Sequence, residues 1–69
     1  MVIKFFAERL RELRQEKGLS ARVLGKAVGI ADSTIIQWEN QKHVPNIEHL
    51  AILAKFFGVS TDYLLGLED

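Results

Sequence analysis

Glycines at the ends of apolar segments constrain the fold of this 69-residue chain more than any other feature. Gly18, Gly29, Gly58 and Gly66 each follow a segment in which apolar residues recur every three or four positions, which is the spacing of an amphipathic helix. Helices often end on a residue in the left-handed conformation, which glycine adopts without steric cost. The pattern predicts several short helices and no sheet.

Helix starts are marked as well. Ser20, Asn46 and Ser60 are good N-cap residues, and Pro45 cannot lie in the interior of a preceding helix. The predicted helices cover residues 3–17, 21–28, 32–40, 47–57 and 61–65, in one all-α domain spanning residues 1–69. The apolar stripe expected to face the core from the fourth helix comprises Ile47, Leu50, Leu53, Ala54 and Phe57.

Composition excludes several classes of protein. The chain has no cysteine, so disulfides and thiolate metal sites are absent, as suits the reducing cytoplasm. No stretch approaches the ~20 apolar residues of a membrane span. His43 and His49 lack a third convergent ligand for a metal, and no nucleophile, base and oxyanion donor come together. We therefore expect a cytoplasmic non-enzyme with no metal, cofactor, small-molecule substrate or membrane partner.

Charge is unevenly distributed, although the formal net charge is zero. Residues 1–27 carry seven basic and three acidic residues, a net charge of +4, whereas residues 28–69 carry two and six, a net charge of −4. A neutral chain argues against a polyanion partner, because such binders usually have a basic surface. The basic first part nevertheless leaves room for a basic face.

The middle of the chain, residues 20–40, reads as a helix, a short turn containing Gly29 and a second helix. Helix pairs of this kind occur in many all-α proteins, so the spacing alone leaves the function open. Gly25 lies where the two helices are expected to cross. Because alanine has the higher helix propensity, we expect Gly25→Ala to be tolerated.

Longer strings carry a resemblance. They are RLRELRQEKGLS at 9–20, VGIADSTIIQWEN at 28–40 and LAKFFGVSTDYLLG at 53–66, with Lys42 and Pro45 in between. In this order and spacing, the chain resembles the lambda-repressor-like, Cro/cI-type (XRE) family of helix-turn-helix regulators. The resemblance implies a five-helix DNA-binding domain and a sequence-specific transcriptional regulator of double-stranded DNA, a repressor acting as a homodimer.

The resemblance also implies roles for the two central helices. Helix 32–40 would enter the major groove while helix 21–28 crosses the DNA backbone. At 100° per residue, Ile35 and Trp38 face the core, and the opposite face presents residues that would read bases. These are Asp32, Ser33, Ile36 and Gln37. Candidate phosphate contacts are Arg22, Asn40, Lys42 and His43, with Lys26 beside them.

Arg14 and Glu39 occupy the positions where this family forms a buried ion pair between the first helix and the end of the reading helix. A guanidinium fork matches a carboxylate geometrically. The resemblance therefore implies a structural role for this pair, with no contact to bases. An ordinary surface ion pair, which contributes little to stability, is the alternative.

Four positions depart from the family pattern: Ala21 replaces a phosphate-binding glutamine, Ala31 a polar cap, Asp32 a basic or amide residue, and Gln41 a glycine. Asp32 allows two interpretations, acceptance of a hydrogen bond from a cytosine amino group or stabilisation of the helix start. The departures also leave open a protein-interaction module of the same fold, such as an antitoxin or antirepressor partner. A domain of a longer regulator is a further possibility.

Apolar residues remain after the core is assigned, namely Val2, Phe5, Val23, Ile36, Val44, Ile52 and Phe56. Ile52 and Phe56 are four residues apart, so they share one face of the fourth helix. We expect this pair, together with Tyr63, to form the dimer surface.

Overall fold

The computed structural model describes residues 2–69, which form an all-α fold of five helices without a strand. The helices are α1 (Val2–Glu16), α2 (Ala21–Val28), α3 (Asp32–Glu39), α4 (Ile47–Phe57) and α5 (Thr61–Leu64). Every boundary lies within one residue of the predicted one, and the predicted all-α class is confirmed. No helix in residues 2–69 has the length and apolar character needed to cross a bilayer.

Side-chain caps begin three of the helices where the sequence predicts them. The Val23 amide donates to Ser20 Oγ at 3.1 Å, the His49 amide to Asn46 Oδ1 at 2.7 Å, and the Tyr63 amide to Ser60 Oγ at 2.9 Å. Gly29 and Gly58 end α2 and α4 with φ angles of 73° and 69°, in the region that favours glycine. These caps leave short connections, so the helices must pack closely.

All five helices contribute to one apolar core, whose largest members are Phe6, Leu10, Leu24, Ile35, Trp38, Leu53 and Leu64. Trp38 is buried and packs edge-on against the rings of Phe6, at a centroid distance of 5.9 Å, and His49, at 5.5 Å. The inward orientation predicted for Ile35 and Trp38 is confirmed. His49 is thereby a packing residue of α4.

The prediction for Ile47 is wrong, because its side chain is 86% exposed. Ile47 is the first residue of α4, and no neighbouring helix within residues 2–69 covers this end of the apolar stripe of α4. The inward side of α4 begins one turn later, at the half-buried Leu50, and continues through the buried Leu53 and Ala54. Ile47 is therefore an apolar side chain on the surface.

Candidate nucleic-acid interface

Helix α3 has one buried face and one exposed face. It packs against α1 and α2, and Ile35, Trp38 and Glu39 are buried in these contacts. Its exposed residues are Asp32, Ser33, Ile36, Gln37 and, at the C-cap, Asn40. The four predicted base-reading residues thus lie together on the side of the molecule that faces away from the core.

The end of α3 is fixed to α1 by an ion pair. Arg14 Nε and Nη2 each donate to a different oxygen of the Glu39 carboxylate at 2.8 Å, and Arg14 Nη1 donates to the Leu19 carbonyl at 2.8 Å. The Glu39 side chain is almost fully buried. Its hydrogen bonds raise the pKa of the Arg14 guanidinium above the usual value. The pair is bidentate, which sets orientation as well as distance.

Arg11 is a second guanidinium on the same carboxylate, and the sequence interpretation missed it. Arg11 Nε donates to Glu39 Oε1, and Nη2 donates to the Glu39 main-chain carbonyl, both at 3.3 Å. The carbonyl contact caps the C-terminus of α3, where a cation is favoured by the helix dipole. The sequence does contain a signal for Arg11: it lies three residues before Arg14, and residues one helical turn apart share a helix face.

Gln41 ends α3 in the left-handed conformation, with a φ angle of 61°. The Gln41 amide donates to the Trp38 carbonyl at 3.1 Å, and the Lys42 amide donates to the Gln37 carbonyl at 2.9 Å. This pair of bonds resembles the turn that glycine usually forms after a helix. The backbone of Lys42 is thereby held directly to the end of α3, although a non-glycine residue makes the turn.

An open cleft of about 340 Å³ lies between α2 and the start of α3. Its lining residues are Arg22, Gly25, Lys26, Gly29, Ile30, Ala31 and Asp32. Asp32 therefore shares this cleft with two of the cations considered for phosphate contact. The other phosphate candidates, Asn40, Lys42 and His43, are exposed beyond the opposite end of α3.

Gly25 is packed too closely to accept a methyl group, so the expectation that Gly25→Ala is tolerated is wrong. A Cβ at this position would lie 2.4 Å from the Ile30 carbonyl oxygen and 3.4 Å from the Asp32 amide nitrogen. The Ile30 amide also donates to the Gly25 carbonyl at 2.9 Å. The turn between the two helices thus rests directly on the α2 backbone, and Gly25 permits this approach.

The residues expected to form the dimer surface have different surroundings. Ile52 and Phe56 are 40% and 36% exposed, and the Lys17 ammonium lies 5.9 Å from the centre of the Phe56 ring. Tyr63 is half-buried, and the Arg9 guanidinium lies over its ring at 4.3 Å. Arg9 also donates to the Tyr63 carbonyl at 2.7 Å. Arg9 therefore covers part of the Tyr63 ring.

Comparison with known proteins identifies the protein family to which this chain belongs. A model of the helix-turn-helix family matches residues 10–64. The chain belongs to the helix-turn-helix family. This is a non-enzymatic family of transcriptional regulators, and the resemblance to Cro/cI-type (XRE) regulators is confirmed.

Individual relatives agree with the family assignment. The helix-turn-helix chain is 39% identical over 93% of its length to an uncharacterized HTH-type transcriptional regulator, YobD, of Bacillus subtilis, and spans 57% of that protein. It is 38% identical over 94% of its length to repressor protein C2 of Salmonella phage P22, and spans 30% of it. The chain thus matches only part of the length of these relatives.

A solved structure shows the same fold. The restriction-modification controller protein C.AhdI from Aeromonas hydrophila superposes with a TM-score of 0.81 at 29% sequence identity. The match covers 90% of this chain and 94% of the controller protein. The five-helix arrangement is therefore shared along almost the whole length of both chains.

Proposed function

We propose that this chain is a sequence-specific double-stranded DNA-binding transcriptional regulator. It is a bacterial or phage-encoded repressor that acts as a homodimer in the cytoplasm. Helix α3 enters the major groove, which is wide enough to admit a helix. The observation that carries the proposal is the exposed face of α3, whose opposite side is fixed by the bidentate Arg14–Glu39 pair. A reading helix held this rigidly can present its side chains to base edges in one register.

The exposed face has the chemistry for base recognition. Gln37 can form two hydrogen bonds with adenine, and Ile36 can cover a thymine methyl group. Asp32 can accept from the cytosine amino group, and Ser33 can donate or accept. Because Arg22 and Lys26 line the same cleft as Asp32, its negative charge is accompanied by two positive charges near the DNA backbone.

Phosphate contacts are proposed at both ends of α3. Lys42, whose amide is bonded to the Gln37 carbonyl, follows the reading helix together with Asn40 and His43. Arg22 lies on the preceding helix. Contacts of this type position the protein and carry no sequence information directly. A relative also supports regulation, since protein C2 of Salmonella phage P22, to which this chain is similar, is a repressor.

A protein-interaction module of the same fold is the second candidate. Ile36 is 47% exposed in the middle of the reading face, and Ala21 cannot form the phosphate contact of a glutamine. The formal charge of zero also lowers the nonspecific attraction to DNA that basic domains have. Under this alternative, a partner protein would contact Ile36, and duplex DNA would bind weakly and without preference.

Two substitutions test the proposal because they should fail in different ways. Gln37→Ala should cost about 1 to 3 kcal/mol on the preferred duplex and relax the preference at one base pair. Lys42→Ala should weaken binding to all duplexes and reduce the salt dependence by about one unit. Titrations of labelled duplexes over a range of salt concentrations measure both effects.

Matched controls are available on the other helices. Gln15→Ala on α1 and Lys55→Ala on α4 make the same chemical changes at exposed positions, and both should leave affinity and preference unchanged. Equal losses for Gln37→Ala and Lys42→Ala, with no change in base preference, would contradict the assigned roles. A loss with Lys55→Ala as large as that with Lys42→Ala would show that only overall charge matters.

A further inference from the structure

Arg11 on α1 reaches the C-terminal end of α3, and the proposed function does not use it. Its Nε donates to Glu39 Oε1 and its Nη2 donates to the Glu39 main-chain carbonyl, both at 3.3 Å. The Arg11 side chain is nevertheless 48% exposed, whereas that of Arg14 is 16% exposed. About half of the Arg11 side chain therefore remains open to solvent beside the last residue of α3.

The charge of Arg11 is not fully compensated by the residues around it. Arg14 occupies both oxygens of the Glu39 carboxylate at 2.8 Å, and Arg11 shares one of them at the longer distance of 3.3 Å. Within residues 2–69, Glu39 is the only carboxylate in ion-pair contact with Arg11. Two guanidinium groups and one carboxylate sum to a net charge of +1. Since Arg14 and Glu39 are the more buried members, the excess positive charge is exposed at Arg11.

This positive charge lies where the helix alone would repel an anion. The C-terminus of a helix carries a partial negative charge on its last carbonyl groups, and Arg11 Nη2 donates to one of them. Lys42 is three residues beyond Glu39, so their Cα atoms lie within about 11 Å of each other. Arg11 thus places a cation from α1 at the same helix end as the proposed phosphate contact of Lys42.

We propose that Arg11 binds a phosphate of the DNA backbone at the C-terminal end of α3. In the part of the chain that the structure describes, Arg11 Nη1 donates to no protein atom, and a guanidinium fork suits the geometry of a phosphate. Arg11 would then hold the Glu39 carbonyl with one side of its fork and the DNA strand with the other. The inference rests on the proposed DNA binding and adds a contact from α1 to it.

The salt dependence of duplex binding tests the contact. Arg11→Ala should reduce the slope of log affinity against log salt by about 0.9, so its loss of affinity should be about 3.5-fold larger at 50 mM than at 200 mM salt. Arg11→Lys keeps the charge without the fork and should restore most of the slope. A role in positioning α3 alone would give Arg11→Ala the same fold loss at both salt concentrations.

A matched control removes a different positive charge from the same helix. Lys4 is exposed and lies seven residues before Arg11, about 10 Å away along α1. Lys4→Ala should leave the slope unchanged. Circular dichroism should show the same helical content for all these variants, because Glu39 keeps its bidentate pair with Arg14. A slope reduced equally by Lys4→Ala would show that the charge of α1 as a whole matters, and would overturn the contact.

Neutral backbone linkages locate the phosphate. Single methylphosphonates, placed in turn along a duplex that the chain binds, remove the charge of one phosphate each. At the linkage that Arg11 contacts, the substitution should weaken the unsubstituted chain several-fold and should affect Arg11→Ala much less. If every linkage that affects the unsubstituted chain affects Arg11→Ala equally, the contact is overturned.

The Arg11 contact and the proposed function fail in different ways. A slope that Lys42→Ala reduces and Arg11→Ala leaves unchanged overturns the Arg11 contact alone. A slope that Arg11→Ala reduces, in a chain that prefers no duplex sequence, supports the contact and contradicts sequence recognition. An unsubstituted chain that binds no duplex even at 50 mM salt overturns both.

Discussion

Gly25→Ala adds one methyl group at the crossing of α2 with the turn that leads into α3. The new Cβ would lie 2.4 Å from the Ile30 carbonyl oxygen, about 1 Å closer than the ~3.3 Å of a close carbon–oxygen contact. The conflicting atom belongs to the backbone, so no side-chain rotation can relieve the overlap. The turn has to move away from α2, and the start of α3 has to move with it.

The expected magnitude follows from two opposing effects. Overpacking costs about 1 to 3 kcal/mol, while alanine in place of glycine within a helix contributes about 1 kcal/mol of stability. Because the backbone must shift, we expect a net loss of about 1 to 2 kcal/mol in the free energy of unfolding, with a fall in Tm of roughly 4 to 8 °C per kcal/mol for a domain of this size.

Urea and thermal unfolding followed by circular dichroism measure this loss. Ala27→Gly, at an exposed position of the same helix, calibrates the propensity effect and should cost about 1 kcal/mol. Gly25→Ala should also lower DNA affinity in the folded fraction, because the α3 start is displaced. Stability equal to or greater than that of the unsubstituted chain would refute the close approach of the Ile30 carbonyl.

Three further predictions concern the end of α3. Arg14→Ala should cost about 3 to 5 kcal/mol in unfolding free energy, because it removes the main partner of a buried carboxylate; a loss below that of Arg11→Ala would contradict this role. Arg11→Ala removes a half-exposed guanidinium and leaves Glu39 paired with Arg14, so it should cost about 1 kcal/mol or less in the same urea titration; a larger loss would show that the Glu39 carbonyl cap dominates. Gln41→Gly should stabilise by about 1 kcal/mol by removing the strain of a left-handed non-glycine residue; unchanged or lower stability would show that the turn is not strained.

Local features of the sequence predict the helices well. Each N-cap serine or asparagine accepts a hydrogen bond from an amide only three residues ahead. Gly29 and Gly58 each end the helix that they directly follow. The boundaries of α2 and α4 therefore follow from residues within or beside those helices, such as Ser20, Gly29, Asn46 and Gly58. The inward position of Trp38 follows equally from the period of a single helix.

Features that depend on distant parts of the chain were predicted incorrectly or missed. Helix propensity favours alanine at Gly25, but the nearby Ile30 carbonyl depends on how the turn folds back over α2. Periodicity places Ile47 on the inward stripe, yet it cannot show that no helix covers the start of α4. Arg11 contacts Glu39 across 28 positions of sequence, so its partner is defined only by the packing of α1 against α3.

Selection from random duplex DNA at about 0.15 M ionic strength tests the central claim most directly, namely that α3 reads sequence in a symmetric dimer. The unsubstituted chain should enrich a palindrome whose half-sites lie about one helical turn apart, centre to centre. Gln37→Ala, selected in parallel, should lose the preference at one position of each half-site. Absence of any enriched sequence, or an enriched sequence that Gln37→Ala leaves unchanged, would contradict base reading by α3.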